Sequence, residues 1–429
     1  MFQLRVKCKV MKAFTFGKTK IKIYGGFNSI GGNCVVIDSP SLKVMFDQGV
    51  NFTQLKNFYG FSIQPDSVEE LREMNVLPPR SAYEDVEEIY VSHLHLDHLG
   101  SLNIPGEIPV YLPSKEVAEV LSRSWWFGWK QQLLPQTLSF IGFKNVEESK
   151  RVKYERISHS AFPSYAFRVD ADDASILYTG DFRNTPLHSI LHSSIDSLGD
   201  LASDGVDVLI IEGTNFGRKI SYISPTNFKQ SLLELLEKYD RNIFFVTTHP
   251  LDLEATLSII EIAGKAGYIA VFTSLYYAYL LDIMLDKAKY EVQNELIFTP
   301  ITRTKAIPLN NFEIETSLKT IRDRKIAFFT PIPGIKEMKT IPNLLNQETK
   351  GLLHITVIGE PVDEEWVIEE RKIENWLKLL GILSYRVHVS GHYQPYEFKE
   401  IIQTINPKKI IPIHTLTPRT MVSLFERIK

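Results

Sequence analysis

The sequence predicts an α/β protein of two domains, one of them split, and three observations carry that prediction. The first half holds strand-like runs that each end on a polar, ligand-competent side chain. From about residue 215 to 384 strands and helices alternate, as in a parallel sheet with helices packed on it. Two later strands, Tyr385–Val389 and Ile410–Ile413, return to the first pattern and deliver Ser390-Gly391-His392 and His414. The expected division is 1–214, 215–384 and 385–429, the last segment completing the first domain. A chain of 429 residues is too long for one ordinary core, so two domains are the default.

In order along the chain, Lys20–Tyr24 and Cys34–Asp38 alternate like antiparallel strands, with Gly25-Gly26 and Gly31-Gly32 suited to tight turns between them. A third strand, Lys43–Phe46, runs out into Asp47-Gln48-Gly49. Asp47 is either a turn former or a carboxylate that holds a metal-ligating histidine from behind. Residues from Asn51 to Tyr83 read as an irregular insertion with one short helix, Asp66–Met74, stopped by Pro78-Pro79; so long a loop forms a rim or lid.

The densest chemistry follows the strand Glu88–Val91, in Ser92-His93-Leu94-His95-Leu96-Asp97-His98-Leu99-Gly100. Helix capping needs one polar residue here, and the stretch supplies three imidazoles and a carboxylate in six positions. His93-x-His95 can turn two imidazoles toward one ion, and Asp97-His98 can face a second. Imidazole and carboxylate without thiolate fit zinc, with manganese or iron as alternatives. The serine-capped helix from Ser114 then runs into Trp125, Trp126, Phe127 and Trp129, an aromatic cluster that reads as core or subunit interface before it reads as a base-stacking platform.

His159, Asp181 and Glu212 each stand just past a strand, where α/β folds gather their sites. The strand-helix alternation that follows runs from helix Pro225–Tyr239 through strand Asn242–Thr247, helix Leu251–Ala263, strand Tyr268–Thr273 and helix Leu275–Lys289 to strands Lys325–Thr330 and Gly351–Ile358. His188, His192, His249 and His354 fit no ligand position. Arg183, Arg218, Lys219, Lys408 and Lys409 follow these motifs closely and are candidates for backbone-phosphate contacts, with a solvated surface as the plain alternative.

Composition narrows the class. Hydrophobic residues at 44% and charged residues at 23% are ordinary for a soluble globular protein. A net charge of −3 excludes coating of nucleic acid by global charge, so any nucleic-acid site must be local. Only Cys8 and Cys34 occur, which excludes a disulfide framework and fits a reducing compartment. The basic N-terminus lacks the apolar run of a signal peptide, no stretch is long enough to span a bilayer, and the expected location is cytoplasmic.

Taken together, Asp47, His93-x-His95-x-Asp97-His98, His159 and Asp181 resemble the four signature motifs of the metallo-β-lactamase fold, in order and each after a strand. Glu212, His392 within His388-Val389-Ser390-Gly391-His392, and His414 resemble the three further motifs of the β-CASP nucleases. The His-x-Ser-Gly-His string is similar to that of ribonuclease J and its archaeal relatives. The resemblance implies an αββα sandwich with an inserted parallel α/β cap. It implies that His93, His95 and His159 hold one ion, that Asp97, His98 and His414 hold another, and that Asp181 bridges them. Zinc is expected at both, with manganese as the alternative, and Asp47 stands behind the ligands. Asp97, Glu212 and His392 form the implied catalytic set, His392 acting as general acid with Glu212 as its partner. His388, Ser390 and Gly391 form the implied phosphate pocket. The implied activity is hydrolysis of RNA by a hydroxide shared between two ions, in the 5′-to-3′ exonuclease mode with endonuclease action as a second mode, in RNA processing or decay.

The sequence departs from ribonuclease J in Thr247-Thr248-His249-Pro250 and in Phe329-Thr330-Pro331-Ile332-Pro333-Gly334, where a Ser-Asn loop and a Gly-Ser-Gln-Gly loop are expected, and it lacks the C-terminal appendage. Single-stranded RNA with a 5′-monophosphate is the expected partner; DNA is not set aside, no membrane is involved, and a homodimer is left open. A hydrolase of a small ester, thioester or lactam would share the metals but has no need of Glu212, His392 or a cap. A non-catalytic RNA-processing scaffold would be expected to lack ligands, and none is missing.

Overall fold

The computed structural model describes residues 12–60, 62–124, 142–218, 223–301, 308–330, 334–358 and 364–429. It divides into two compact units, one of 1–185, 191–220 and 392–429, the other of 186–190 and 221–391.

In the first unit, seven strands make one sheet in sequence order: β1 (Lys12–Phe16), β2 (Thr19–Gly25), β3 (Cys34–Ser39), β4 (Leu42–Phe46), β5 (Glu88–Tyr90), β6 (Val110–Leu112) and β7 (Phe143–Asn145). Pairing is antiparallel up to β4 and parallel beyond it. The second sheet contains β8 (Lys153–Ile157), β9 (Ser164–Asp170), β10 (Ser175–Tyr178) and β11 (Val208–Glu212), with a strand from the C-terminal segment added beside β11. Alternation along the strands gives each sheet two apolar faces. Val35, Ile37, Val44 and Phe46 of the first sheet meet Phe167, Val169, Ile176 and Tyr178 of the second. The outer face of the second sheet, with Leu177, Leu209 and Ile211, packs on helices Ser194–Ala202, Phe398–Ile405 and Pro418–Ile428. Helix Lys115–Ser124 lies along β7 of the first sheet. This is the αββα sandwich that the motifs implied.

The second unit is a seven-stranded, wholly parallel sheet of β12 (Ile243–Thr247), β13 (Ile269–Phe272), β14 (Leu296–Phe298), β15 (Glu313–Ile314), β16 (Ile326–Phe329), β17 (Leu353–Ile358) and β18 (Leu383–His388), in the order β15-β14-β13-β16-β12-β17-β18. Its central strands are buried on both faces, which explains their unbroken apolar runs, Ile243-Phe244-Phe245-Val246 and Ile326-Ala327-Phe328-Phe329. Ile243, Phe245, Val271 and Phe328 face Met338, Ile341 and Leu377 of the helices Ile335–Leu344 and Glu364–Leu380. Helix Leu253–Lys265 packs against β13 and against helix Pro225–Lys238. No helix of the described residues is long and apolar enough to cross a membrane.

Several local readings shift. The stretch from Asn51 to Tyr83 carries two α-helices, Phe52–Phe58 and Val68–Glu73, where one was expected. Asn51 caps the unexpected one by accepting from the Gln54 N–H at 3.0 Å. The strand after Gly381 was expected to open the returning segment; instead it pairs in parallel with β17 as the edge of the second unit's sheet, and the first unit resumes at His392. The Trp125–Trp129 cluster and Lys219 lie outside the described residues.

The last strand, β19 (Lys409–Ile413), joins β11 in parallel register, pairing Val208 with Lys409 and Glu212 with Ile413. Lys408 and Lys409 are therefore at the opposite end of this strand from His414, which corrects their candidacy for phosphate contacts beside it. Lys408 Nζ sits 2.7 Å from Asp207 Oδ1, and Lys409 lies over the Phe16 ring.

Asp207 ties three strands together at that edge. Its Oδ2 accepts from the Ser175 N–H at 2.8 Å and the Ser175 hydroxyl at 2.9 Å. Lys408, first, and then these bonds hold its carboxyl down at about 2. Lys408 is largely exposed, so solvent screens its ion pair and the stability it adds is small. Because the folded value lies below the roughly 3.9 of an unfolded chain, this contribution is complete above that value and is lost as pH falls toward the folded one. Asp207→Asn should melt at a lower temperature than wild type at pH 7, and the gap should narrow on acidification; thermal melts across that range measure it.

Candidate metal centre

The site is built where strands of one direction end. In the first sheet β4 ends in Asp47 and β5 runs into His93. In the second, β8 runs into His159, β10 into Asp181, β11 ends at Glu212 and β19 runs into His414. Strand β8 is antiparallel to β9 and β9 to β10, so all four of these second-sheet strands point the same way. A five-residue strand register thus brings residues some two hundred positions apart to one edge.

Close approach of the backbone completes the cradle. A Cβ on Gly49 would stand 1.6 Å from the Asp97 carbonyl oxygen, so only glycine lets the loop after β4 lie against the histidine motif. Along that contact Gln48 N–H donates to His98 O at 2.9 Å and Val50 N–H to Leu96 O at 2.9 Å. His414 takes a left-handed conformation, φ 51°, unusual for its residue type, and is held there by its N–H donating to Gly26 O at 2.7 Å.

Two groups of ligand atoms result. His93 Nε2 lies 3.2 Å from His95 Nδ1, and His159 Nε2 lies 3.3 Å from the same atom. In the second group Asp97 Oδ2 is 3.2 Å from His414 Nε2, while Asp181 Oδ2 is 3.0 Å from His98 Nε2 and 3.5 Å from His414 Nε2. His93-His95-His159 and Asp97-His98-His414 each keep their ligand atoms within 4.8 Å of one another, as do His93-His98-Asp181 and His159-Asp181-His392. These are buried His and Asp groups that could bind metal. The donor set fits an ion for a further reason: Asp181 Oδ1 is buried with no hydrogen-bond partner, and an unpaired buried carboxylate oxygen is costly unless a cation meets it.

The electrostatics agree. Burial first, and then the neighbouring imidazoles, push His93 well below its usual range, and burial takes His95 to about 4. Both are neutral at pH 7, the form that ligates. Burial opposes charge at His98, Asp97 and Asp181 as well, but there the partners win. Asp181 and Asp47 lift His98 well above its usual value; His414 and His98 hold Asp97 down at about 2; and His414 and His98 keep Asp181 well below the carboxylate range.

Behind the ligands, Asp47 is fully buried. Its Oδ2 lies 2.7 Å from His98 Nδ1 and accepts from Ser92 Oγ at 2.8 Å and the Tyr178 hydroxyl at 2.5 Å, while its Oδ1 accepts from the Ser92 N–H at 2.7 Å. His392 Nδ1 lies 3.0 Å from Glu212 Oε1 and 3.9 Å from Asp181 Oδ2. His388, Ser390 and Gly391 belong to the second unit, at and just past the end of β18. Arg183 is buried, its N–H donating to Ser158 O at 2.8 Å. His188 pairs with Glu261 at 2.8 Å and His354 with Thr247 at 2.9 Å, both within the second unit. Ser92, Tyr178 and Thr214 escaped the sequence reading: each is an ordinary strand or turn residue whose hydroxyl matters only through a partner distant in the chain.

An αββα sandwich with imidazoles and carboxylates gathered at its strand ends, carrying a parallel α/β insertion, defines a metallo-β-lactamase fold with a β-CASP cap. No family model matches the chain. It is ribonuclease J-like. Ribonuclease J of Pyrococcus abyssi is 23% identical over 414 residues, covering 92% of this chain and 89% of that protein. Ribonuclease J of Methanocaldococcus jannaschii is 22% identical, covering 92% and 91%. Against ribonuclease J of Helicobacter pylori strain B128, 22% identical, this chain spans 55% of the relative's length. A solved structure of a protein of unknown function from Enterococcus faecalis V583 shares the fold, with a TM-score of 0.70 and 21% identity over 94% of this chain and 95% of that one.

If Asp47 fixes the His98 ring, Asp47→Asn should weaken metal uptake by roughly 10–100-fold, the usual effect of removing such an outer partner. Titration against a chelator of known affinity checks it.

Proposed function

We propose that this chain is a metal-dependent ribonuclease that hydrolyses RNA phosphodiesters, releasing nucleotides from the 5′ end with internal cleavage as a second mode. The observation that carries the reading is the Glu212–His392 pair, at 3.0 Å, beside a cluster of imidazoles and carboxylates. A small-ester hydrolase has no use for that pair. Ribonuclease J among the relatives supports RNA as the substrate class.

In this reading His93, His95 and His159 hold one zinc ion, Asp97, His98 and His414 hold a second, and Asp181 serves both; manganese is the alternative metal. Ions held there would supply an acidified water and positive charge beside the phosphorus. The chain's own part is orientation and proton delivery. Glu212 accepts from His392 Nδ1, which favours the imidazolium and leaves Nε2 to protonate the departing 3′ oxygen. Ser390 and Gly391, together with His388, would take a substrate phosphate: a hydroxyl and backbone N–H groups suit an anion, and glycine permits close approach.

His392→Ala should keep about two ions per chain and its affinity for RNA, yet lose cleavage by on the order of 10²–10⁴-fold, the usual contribution of a general acid. Elemental analysis and single-turnover assays separate the two. Fewer ions in the variant would make His392 a ligand, a role its place in the His159-Asp181-His392 group keeps in view.

Ser390→Ala and Gly391→Val should lower kcat/KM for 5′-monophosphate RNA without changing metal content, valine more than alanine. Digestion of 5′-labelled and internally labelled RNA, beside matched DNA, tests both direction and substrate. Equal cleavage of 5′-hydroxyl and 5′-monophosphate ends, with internal fragments first, would leave an endonuclease in place of the exonuclease.

A further inference from the structure

Thr214 stands two residues past the end of β11, in the same loop as Glu212, and is buried. Its Oγ1 lies 2.8 Å from His414 Nδ1 and 3.5 Å from the His414 carbonyl oxygen. Its own N–H donates to Glu212 Oε2 at 2.8 Å, and the other oxygen of that carboxylate meets His392. One short loop therefore grips two of the centre's histidines, His392 through a carboxylate and His414 through a hydroxyl.

A neutral imidazole carries one N–H and one bare lone pair, and whatever partners one nitrogen decides which form is present. At His98 that partner is the Asp47 carboxylate, which can only accept. At His414 it is a hydroxyl, which accepts the Nδ1–H while its own hydrogen can turn toward the His414 carbonyl. With a cation bound between the ring and its carboxylate neighbours, the lone pair of His414 is then left on Nε2, the nitrogen that faces Asp97 Oδ2 at 3.2 Å and Asp181 Oδ2 at 3.5 Å. Without an acceptor at Nδ1, a buried N–H there would go unpaired, which is unfavourable. The ring would instead carry its proton on Nε2, between the two carboxylates, and that form cannot ligate.

We propose that Thr214 is the positioning residue for His414, holding it in the Nδ1–H form that presents Nε2 to a metal ion. This rests on the reading of His414 as a ligand. The isosteric Thr214→Val removes the acceptor, and Thr214→Ser keeps it. Zinc affinity is measured by chelator competition for wild type, both variants and His414→Ala, and the His414 Nδ1–H by ¹⁵N NMR of the zinc-loaded protein. The expected result is a loss of roughly 10–100-fold in affinity for one equivalent of zinc in Thr214→Val, the other equivalent unchanged. The hydrogen-bonded Nδ1–H signal of His414 should be lost or shifted in the valine variant, and serine should restore both readings. If valine prevents folding, Thr214→Ala, which only removes atoms, carries the same expectation. Wild-type affinity in the valine or alanine variant, or equal losses in valine and serine, overturns the proposal. If His414→Ala binds zinc as wild type does, it is the ligand assignment that has failed.

Discussion

A carboxylate with no exposure needs hydrogen-bond donors for its oxygens, and Asp47 finds them beside both sheets. Ser92 comes from the loop after β5, Tyr178 from β10 of the opposite sheet, and His98 from the short helix that the motif opens. Phe46, the residue before Asp47, stacks on Tyr178 with ring centroids 5.2 Å apart and on Phe167 at 5.4 Å. The aromatic column fixes the distance between the sheets, and the tyrosine hydroxyl at its end reaches the carboxylate. Packing of the core and orientation of His98 are thus one constraint.

From that anchor the rest of the centre follows by direction. Strands that run the same way present their carboxyl ends to one edge, so a polar residue placed just past each of them meets the others without any special loop. Crowding imidazoles together in a buried place raises an electrostatic problem, which the centre solves unevenly. His93 and His95 are kept neutral by burial, whereas His98 is drawn to a proton by Asp47 and Asp181. The two sides of the site therefore differ in charge: one is an all-imidazole cluster, the other a mesh of imidazole and carboxylate. The β11 loop adds a link between them, since Glu212 touches His392 directly and His414 by way of Thr214.

The second unit follows a different physical logic. Its central parallel strands are covered on both faces and so are apolar throughout, which makes them easy to recognise as strands but silent about which neighbours they choose. β16 lies between β13 and β12, and β18 closes the edge beside β17. Nothing local in Tyr385-Arg386-Val387-His388 tells this sheet from the one that holds His414.

By itself, the sequence determined what depends on short spans. Alternation marked β2, β3 and β4, the apolar runs marked the parallel strands, and His93, His95, Asp97 and His98 declared metal chemistry because their spacing serves little else. The helix at Phe52–Phe58 was missed because it buries no side chain and so leaves no apolar stripe to read. Tertiary structure alone decided which hydroxyl backs which histidine. Ser92, Tyr178 and Thr214 are unremarkable in sequence, and the Tyr178–Asp47 and Thr214–His414 bonds span 131 and 200 residues. It also decided that Lys408 and Lys409, close to His414 in sequence, lie at the far end of its strand. A hydrogen bond is set by position in space within a few tenths of an ångström, and only the register of whole sheets fixes that.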